Sequence, residues 1–188
     1  MSSGQARGRD GGRAGDNVRL GGAPRRGTLV GMTTETIHVS AVLPAKPKAV
    51  YTAWIDAAKH AAMTGAPATS DARVGGRFTA WEGYIEGTHA ELTSPRRVVQ
   101  TWRSSQFPKD AAASRLIVLF DRDGEGTRVT VVHTDIPAGQ GSQYESGWKT
   151  HYFKPMTRYF KALGKGATKK GVAKKSAAKA KKSAANKR

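Results

Sequence analysis

Residues 147–160 read GWKTHYFKPMTRYF. On a helical wheel at roughly 100° per residue, the window 143–163 sorts into two faces. Tyr144, Trp148, Tyr152, Phe153, Pro155, Met156, Tyr159, Phe160 and Leu163 fill one arc, about 180° wide on that geometry. Lys154, Thr157, Arg158 and Lys161 fill the other. An apolar face this broad and this aromatic needs a large cover. The patterned sequence before it alternates as strands do, so the expected cover is a curved sheet. This is first a core helix, and secondly one placed to close a cavity.

Working outward, Thr34 to Leu43 alternates and predicts a strand, with Ile37, Val39 and Ala41 inward and His38 outward on the surface. Pro44 ends it, and Pro47 suits a helix start. Lys48 to Ile55 carries Val50, Tyr51 and Trp54 at helical spacing, and a second short helix, Ala57 to Met63, stops at Gly65. No element is assigned to residues 66–73. Beyond the Val74-Gly75-Gly76 turn come strands Arg77 to Trp81 and Tyr84 to Leu92, joined at Glu82-Gly83. After the turn at Ser94-Pro95, Arg97 to Arg103 is a strand with Val98, Gln100 and Trp102 on one face. Residues 106–113 read as a loop. Arg115 to Phe120 and Thr127 to Thr134 form a hairpin about Asp123-Gly124-Glu125-Gly126. Ile136-Pro137-Ala138-Gly139 then breaks the sheet. One greasy sheet and one long helix with a matching face give a two-layer α+β domain.

The 188-residue chain has no Cys, which excludes disulfides, thiolate metal sites and a Cys nucleophile. No apolar run approaches the roughly 20 residues that cross a bilayer, and the start lacks a signal peptide's apolar core. A cytoplasmic protein is the simplest expectation. The net charge of +18 is uneven. Residues 1–31, a Gly/Arg-rich stretch without apolar periodicity, read as a disordered arm. Residues 32–164 are mildly basic and form the expected domain. Residues 165–188 hold ten basic and no acidic residues and read as a disordered Lys/Ala tail.

Six short runs occur in series: HAAMTGAPA (60–68), VGGRFTAWEGYIEGT (74–88), RRVVQTWRSSQFP (96–108), SRLIVLF (114–120), GTRVTVVHTDIP (126–137) and GWKTHYFKPMTRYF (147–160). In this order they resemble the homologues of the activator of the ninety-kilodalton heat-shock-protein ATPase, within the START-like, helix-grip (SRPBCC) superfamily. The match covers about residues 33–163. The resemblance implies a curved sheet wrapped around the C-terminal helix, with an apolar cavity between them; the antiparallel order and the two short helices after the first strand are read from the residues themselves. Eukaryotic members resemble this domain in a co-chaperone that stimulates the chaperone ATPase. The co-chaperone's separate docking domain has no counterpart in these runs, so a chaperone partner is an alternative expectation.

Strand alternation aims Phe78, Ile85, His89, Val98, Gln100, Trp102, Leu116, Val118, Phe120, Val129, Val131 and His133 at the helix, and Trp148, Tyr152 and Met156 back at them. Most of these are ordinary core. His89, Gln100 and His133 are polar groups aimed into an apolar interior, and each needs a hydrogen-bond partner or costs roughly 1–3 kcal/mol. Either they satisfy one another, or they orient a ligand in a hydrophobic cavity. The ligand-binding residues expected on the second reading are Phe78, His89, Gln100, Trp102, Phe120, His133, Trp148, Tyr152 and Met156. The ligand is then flat or elongated, apolar, with one polar end. His89 and His133 could serve as general acid or base on a polyketide-like or aromatic substrate. However, no nucleophile is evident, two His fall short of a metal site, and Glu82, Glu86 and Glu91 lie near turns or outward. A non-enzymatic domain without catalytic residues, metal or cofactor is expected.

Val99, Ile117, Leu119 and Val132 should point away from the helix, and together they suggest a homodimer or partner surface. In the tail, Lys169, Lys170, Lys174, Lys175, Lys179, Lys181 and Lys182 follow a linker-histone-like spacing. They lack an aromatic residue for stacking, so nonspecific attachment to nucleic acid phosphates is expected, with a nucleoid location. An acidic membrane surface and a merely solvated tail are the alternatives.

Overall fold

The computed structural model describes residues 33–166. Its elements are β1 (Thr34–Leu43), α1 (Pro47–Ile55), α2 (Ala57–Thr64), β2 (Ala68–Ser70), β3 (Arg77–Ala80), β4 (Ile85–Thr93), β5 (Arg97–Ser104), β6 (Ser114–Asp123) and β7 (Gly126–Pro137). A C-terminal helix follows. It opens as α3 (Gly141–Gly147), passes through a π-helical turn (Trp148–Phe153), and resumes as α-helix over residues 154–166. The seven strands form one antiparallel sheet in the order β1-β7-β6-β5-β4-β3-β2. The helix grip expected from the motif series is the observed architecture.

Local chemistry explains the early helices. Pro47 opens α1, where a missing N–H costs nothing. Asp56 caps α2 by accepting the Lys59 amide at 2.9 Å, and Gly65 ends it at φ 82°. The core joins both layers: Val118, Val129 and Val131 from the sheet, Trp54 and Tyr51 from α1, and Trp148, Tyr152, Met156 and Phe160 from the C-terminal helix.

Five features depart from the expected pattern. β2 was not anticipated; three residues are too few to show a period. β3 ends at Ala80, because Trp81 and Glu82 take φ of 56° in the turn that follows. β7 continues to Pro137 through an irregularity at Asp135 (φ 61°), which lets Ile136 as well as His133 face inward. A second irregularity at Ala90 in β4 turns Leu92 toward the core. The helix also extends beyond Leu163, which is 54% exposed rather than part of the buried face.

On the outer face, β-pairing sets Val132, Ile117 and Val99 side by side across three strands. Val99 is buried by its neighbours, and Ile117, Leu119 and Val132 are half-buried. The expected apolar patch is smaller than four open side chains. The expected Gly/Arg arm and the tail lysines, Lys169 to Lys182, lie outside the described residues.

Candidate functional site

The three inward polar residues are engaged with one another's neighbours in two chains. Trp54 Nε1–H donates to Gln100 Oε1 (3.3 Å), and Gln100 Nε2–H donates to His89 Nδ1 (3.2 Å). His89 Nε2–H then donates to Ser70 Oγ (3.1 Å), and Ser70 donates to the Ile55 carbonyl (2.6 Å). In the second chain Trp148 Nε1–H donates to His133 Nδ1 (3.4 Å). His133 Nε2–H donates to Ser114 Oγ (2.7 Å), and Ser114 donates to the Trp102 carbonyl (2.7 Å). An indole donor at one end and a carbonyl acceptor at the other leave each imidazole a single tautomer. A charged imidazole would set two donors against each other at Nδ1. Burial adds to this, pushing His133 down to about 3 against a modest opposing pull from Asp135. Burial lowers His89 as well.

His60 is a third buried imidazole. Its Nδ1–H donates to the Trp54 carbonyl at 2.8 Å, its Nε2 is buried without a protein partner, and burial depresses its pKa. With both nitrogens of His89 and His133 engaged, neither takes a proton from a bound molecule without breaking its chain.

The open site lies to one side of these relays. A groove of about 590 Å³ runs between the C-terminal helix and the β3–β4 end of the sheet. Tyr144, Trp148, Tyr152 and His151 form the helix wall, Trp102 and Ile85 the sheet wall, and Trp81 and Tyr84 the lip. Gln143, Ser146 and Gly147 complete it, and no Asp, Glu, Lys or Arg lines it. The rings support one another: Trp148 and Tyr152 centroids are 4.6 Å apart, and Trp102 meets Tyr144 edge-on at 5.1 Å. Tyr144 is oriented by hydrogen bonds to Ser104 Oγ (2.7 Å) and Gln140 Oε1 (3.0 Å). Burial raises the Tyr152 phenol well above its usual range, so it stays protonated.

Trp81 is the unusual member. A bulky residue in the left-handed region is rare and costs of order 1–3 kcal/mol. Trp81, Glu82 and Gly83 all have positive φ in succession. The bend is held by Trp81 N–H to the Pro67 carbonyl (2.9 Å) and Tyr84 N–H to the Trp81 carbonyl (3.0 Å). It turns the indole over His151 (5.5 Å) and Tyr152 (6.5 Å).

Of the nine residues expected to line one cavity, Trp102, Trp148 and Tyr152 reach the groove. Phe78, His89 and Gln100 border a separate space of only about 20 Å³. Phe120, His133 and Met156 border neither space. The division has a physical cause: α1 inserts Trp54 and Tyr51 against Phe120 (6.2 and 5.6 Å) and fills the middle of the grip. Alternation along strands cannot reveal a plug supplied by another element. Trp81, Tyr84, Gln143 and His151 were missed. The first two were read as strand ends, and the only signal was the Glu82-Gly83 turn between them. His151 had a signal, since a uniform wheel sets it beside Tyr144 at the edge of the apolar arc.

The family description "Activator of Hsp90 ATPase homolog 1-like protein" matches residues 44–161. The chain belongs to this family. A Dictyostelium discoideum relative, "Activator of 90 kDa heat shock protein ATPase homolog", is 28% identical over 71% of this chain and 35% of its own length. The human "Activator of 90 kDa heat shock protein ATPase homolog 1" is 30% identical over 53% of this chain and 29% of its own. This family member thus spans about a third of the curated relatives it matches. Among solved structures, an HSP90 activator from Plasmodium falciparum shares the fold at TM-score 0.56, with 24% identity over 63% of this chain and 89% of that one. An AHSA1-like protein from Aeromonas hydrophila does so at TM-score 0.54, with 23% identity over 69% and 94%. The family member described here also has no helix, among the described residues, long and apolar enough to cross a membrane.

Proposed function

We propose that this family member is a non-enzymatic binding domain whose aromatic groove takes a flat, largely apolar molecule with one polar end. The observation that carries this reading is the groove itself. Three tryptophans and three tyrosines surround about 590 Å³ without a charged side chain, and one of the tryptophans is held in a strained turn at the lip. Backbone strain of this kind persists where surrounding structure over-determines it, often at ligand clamps. Gln143 and His151 supply the polar end. The buried histidines support the non-enzymatic side of the reading, because their proton positions are committed to structure.

The test is a thermal-shift and tryptophan-fluorescence screen of aromatic metabolites and lipids on the full chain, repeated with Trp81→Gly. A hit should raise the melting temperature and quench fluorescence. The variant should lose it while melting normally, since Gly relieves the strained φ. A complete absence of hits, or equal binding by the variant, overturns the reading. A second reading, effector of a ninety-kilodalton heat-shock ATPase, is favoured by the names of the curated relatives. In that case the groove or the outer sheet face receives a protein.

A further inference from the structure

Past Glu145 the chain has no acidic residue. From Ser146 to Arg188 it carries 14 basic residues. Four of them lie on the folded helix before Lys165. Lys149 is spent on Glu145 in an i,i+4 pair at 2.5 Å. Lys154, Arg158 and Lys161 are not spent: all three are exposed, and among the described residues no ion pair engages them. At i, i+4 and i+7 they form one stripe on the solvent face, directly opposite the aromatic face that grips the sheet. At 1.5 Å rise per residue the stripe is about 10 Å long. A shallow notch lined by Phe153, Lys154, Thr157 and Arg158 lies beside it. The charge is therefore ordered on a rigid element, and ten more cations follow it in the sequence.

We propose that this stripe is a phosphate-backbone docking surface for double-stranded nucleic acid, and that the folded domain, not the tail alone, makes contact. A duplex presents about one negative charge per 1.7 Å, so a 10 Å stripe faces about six phosphates, enough to engage three cations together. The helix uses its aromatic residues against the sheet, and the stripe has none for base stacking. Contact is thus with phosphate, without sequence reading. A membrane surface fits less well. A helix lying in a bilayer interface needs bulky apolar residues flanking its cations. Here that face is buried, and residues 165–188 hold one bulky apolar residue, Val172.

The test uses the full chain and a short random-sequence DNA duplex, with fluorescence anisotropy across about 50–200 mM salt. Lys154→Gln, Arg158→Gln and Lys161→Gln together should lower the slope of log K against log salt by about 2–3, at roughly 0.9 per contact, and weaken binding at least about tenfold. A variant of equal charge loss on the sheet, Arg77→Gln, Arg115→Gln and Arg122→Gln, should leave the slope unchanged. Unaltered melting of both variants confirms that each is folded. An equal slope change in both variants, or none in the helix variant, overturns the proposal. So does binding to anionic phosphatidylserine vesicles without binding to DNA. Groove binding is read separately and is untouched by any of these outcomes.

Discussion

His133 sits with Trp148 donating to one ring nitrogen and its other ring nitrogen donating to Ser114. Protonation breaks the first contact and charges a site with no exposure to water. The folded value is depressed to about 3 from an ordinary 6.5. A depressed histidine contributes stability that is present above the unfolded value and lost as pH falls toward the folded one. Denaturant titrations should therefore show stability falling as pH drops below about 6.5. His133 contributes up to about 1.4 kcal/mol per pH unit, and His89 and His60 add in the same direction. His133→Asn should flatten the slope by about one proton's worth; an unchanged slope would show that the residue titrates normally in the fold. That His89 and His133 point inward was legible from strand alternation; His60 lies on α2 and had no such signal. The serine partners of His89 and His133 were not legible, since Ser70 and Ser114 sit on other strands at positions no local pattern marks.

At the scale of elements, the C-terminal helix is anchored at its start by a residue 106 positions earlier. Glu35 on β1 accepts the Gly139 amide at 2.5 Å and the Gly141 amide at 2.6 Å. Both are charge-assisted bonds at a helix entry, where a carboxylate also meets the favourable end of the helix dipole. A side chain on Gly141 would collide with that carboxylate, which explains the glycine. Glu35→Ala should cost about 2 kcal/mol in chemical denaturation, while a loss under half that would mean water replaces the carboxylate. The apolar face of this helix was evident in GWKTHYFKPMTRYF, but the π turn within it was not. Pro155 lacks the N–H that would bond the His151 carbonyl, and a π-helical turn occupies the residues just before it. Tyr152 and Phe153 are both buried, and exposed His151 lines the groove.

At the scale of the whole molecule, the groove, the outer sheet face and the basic stripe occupy different surfaces, so separate measurements address them. Under the co-chaperone reading, adding the chain to a ninety-kilodalton heat-shock protein raises its steady-state ATPase rate. A flat rate across a stoichiometric titration removes that reading and leaves ligand binding by the groove intact. The sequence by itself determined a two-layer α+β domain, and the resemblance carried by its motif series implied the helix grip. Period-two strands, a hairpin turn and one wide aromatic helix face are local patterns, and they admit few ways to bury their apolar surface. It also determined where the charge lies along the chain. Only the tertiary structure decided where an open site remains. That depended on two non-local events, the insertion of Trp54 into the grip and the strained turn at Trp81 held by the Pro67 carbonyl. Each is set by which side chains meet across the fold, so the space left between sheet and helix cannot be read from either one alone.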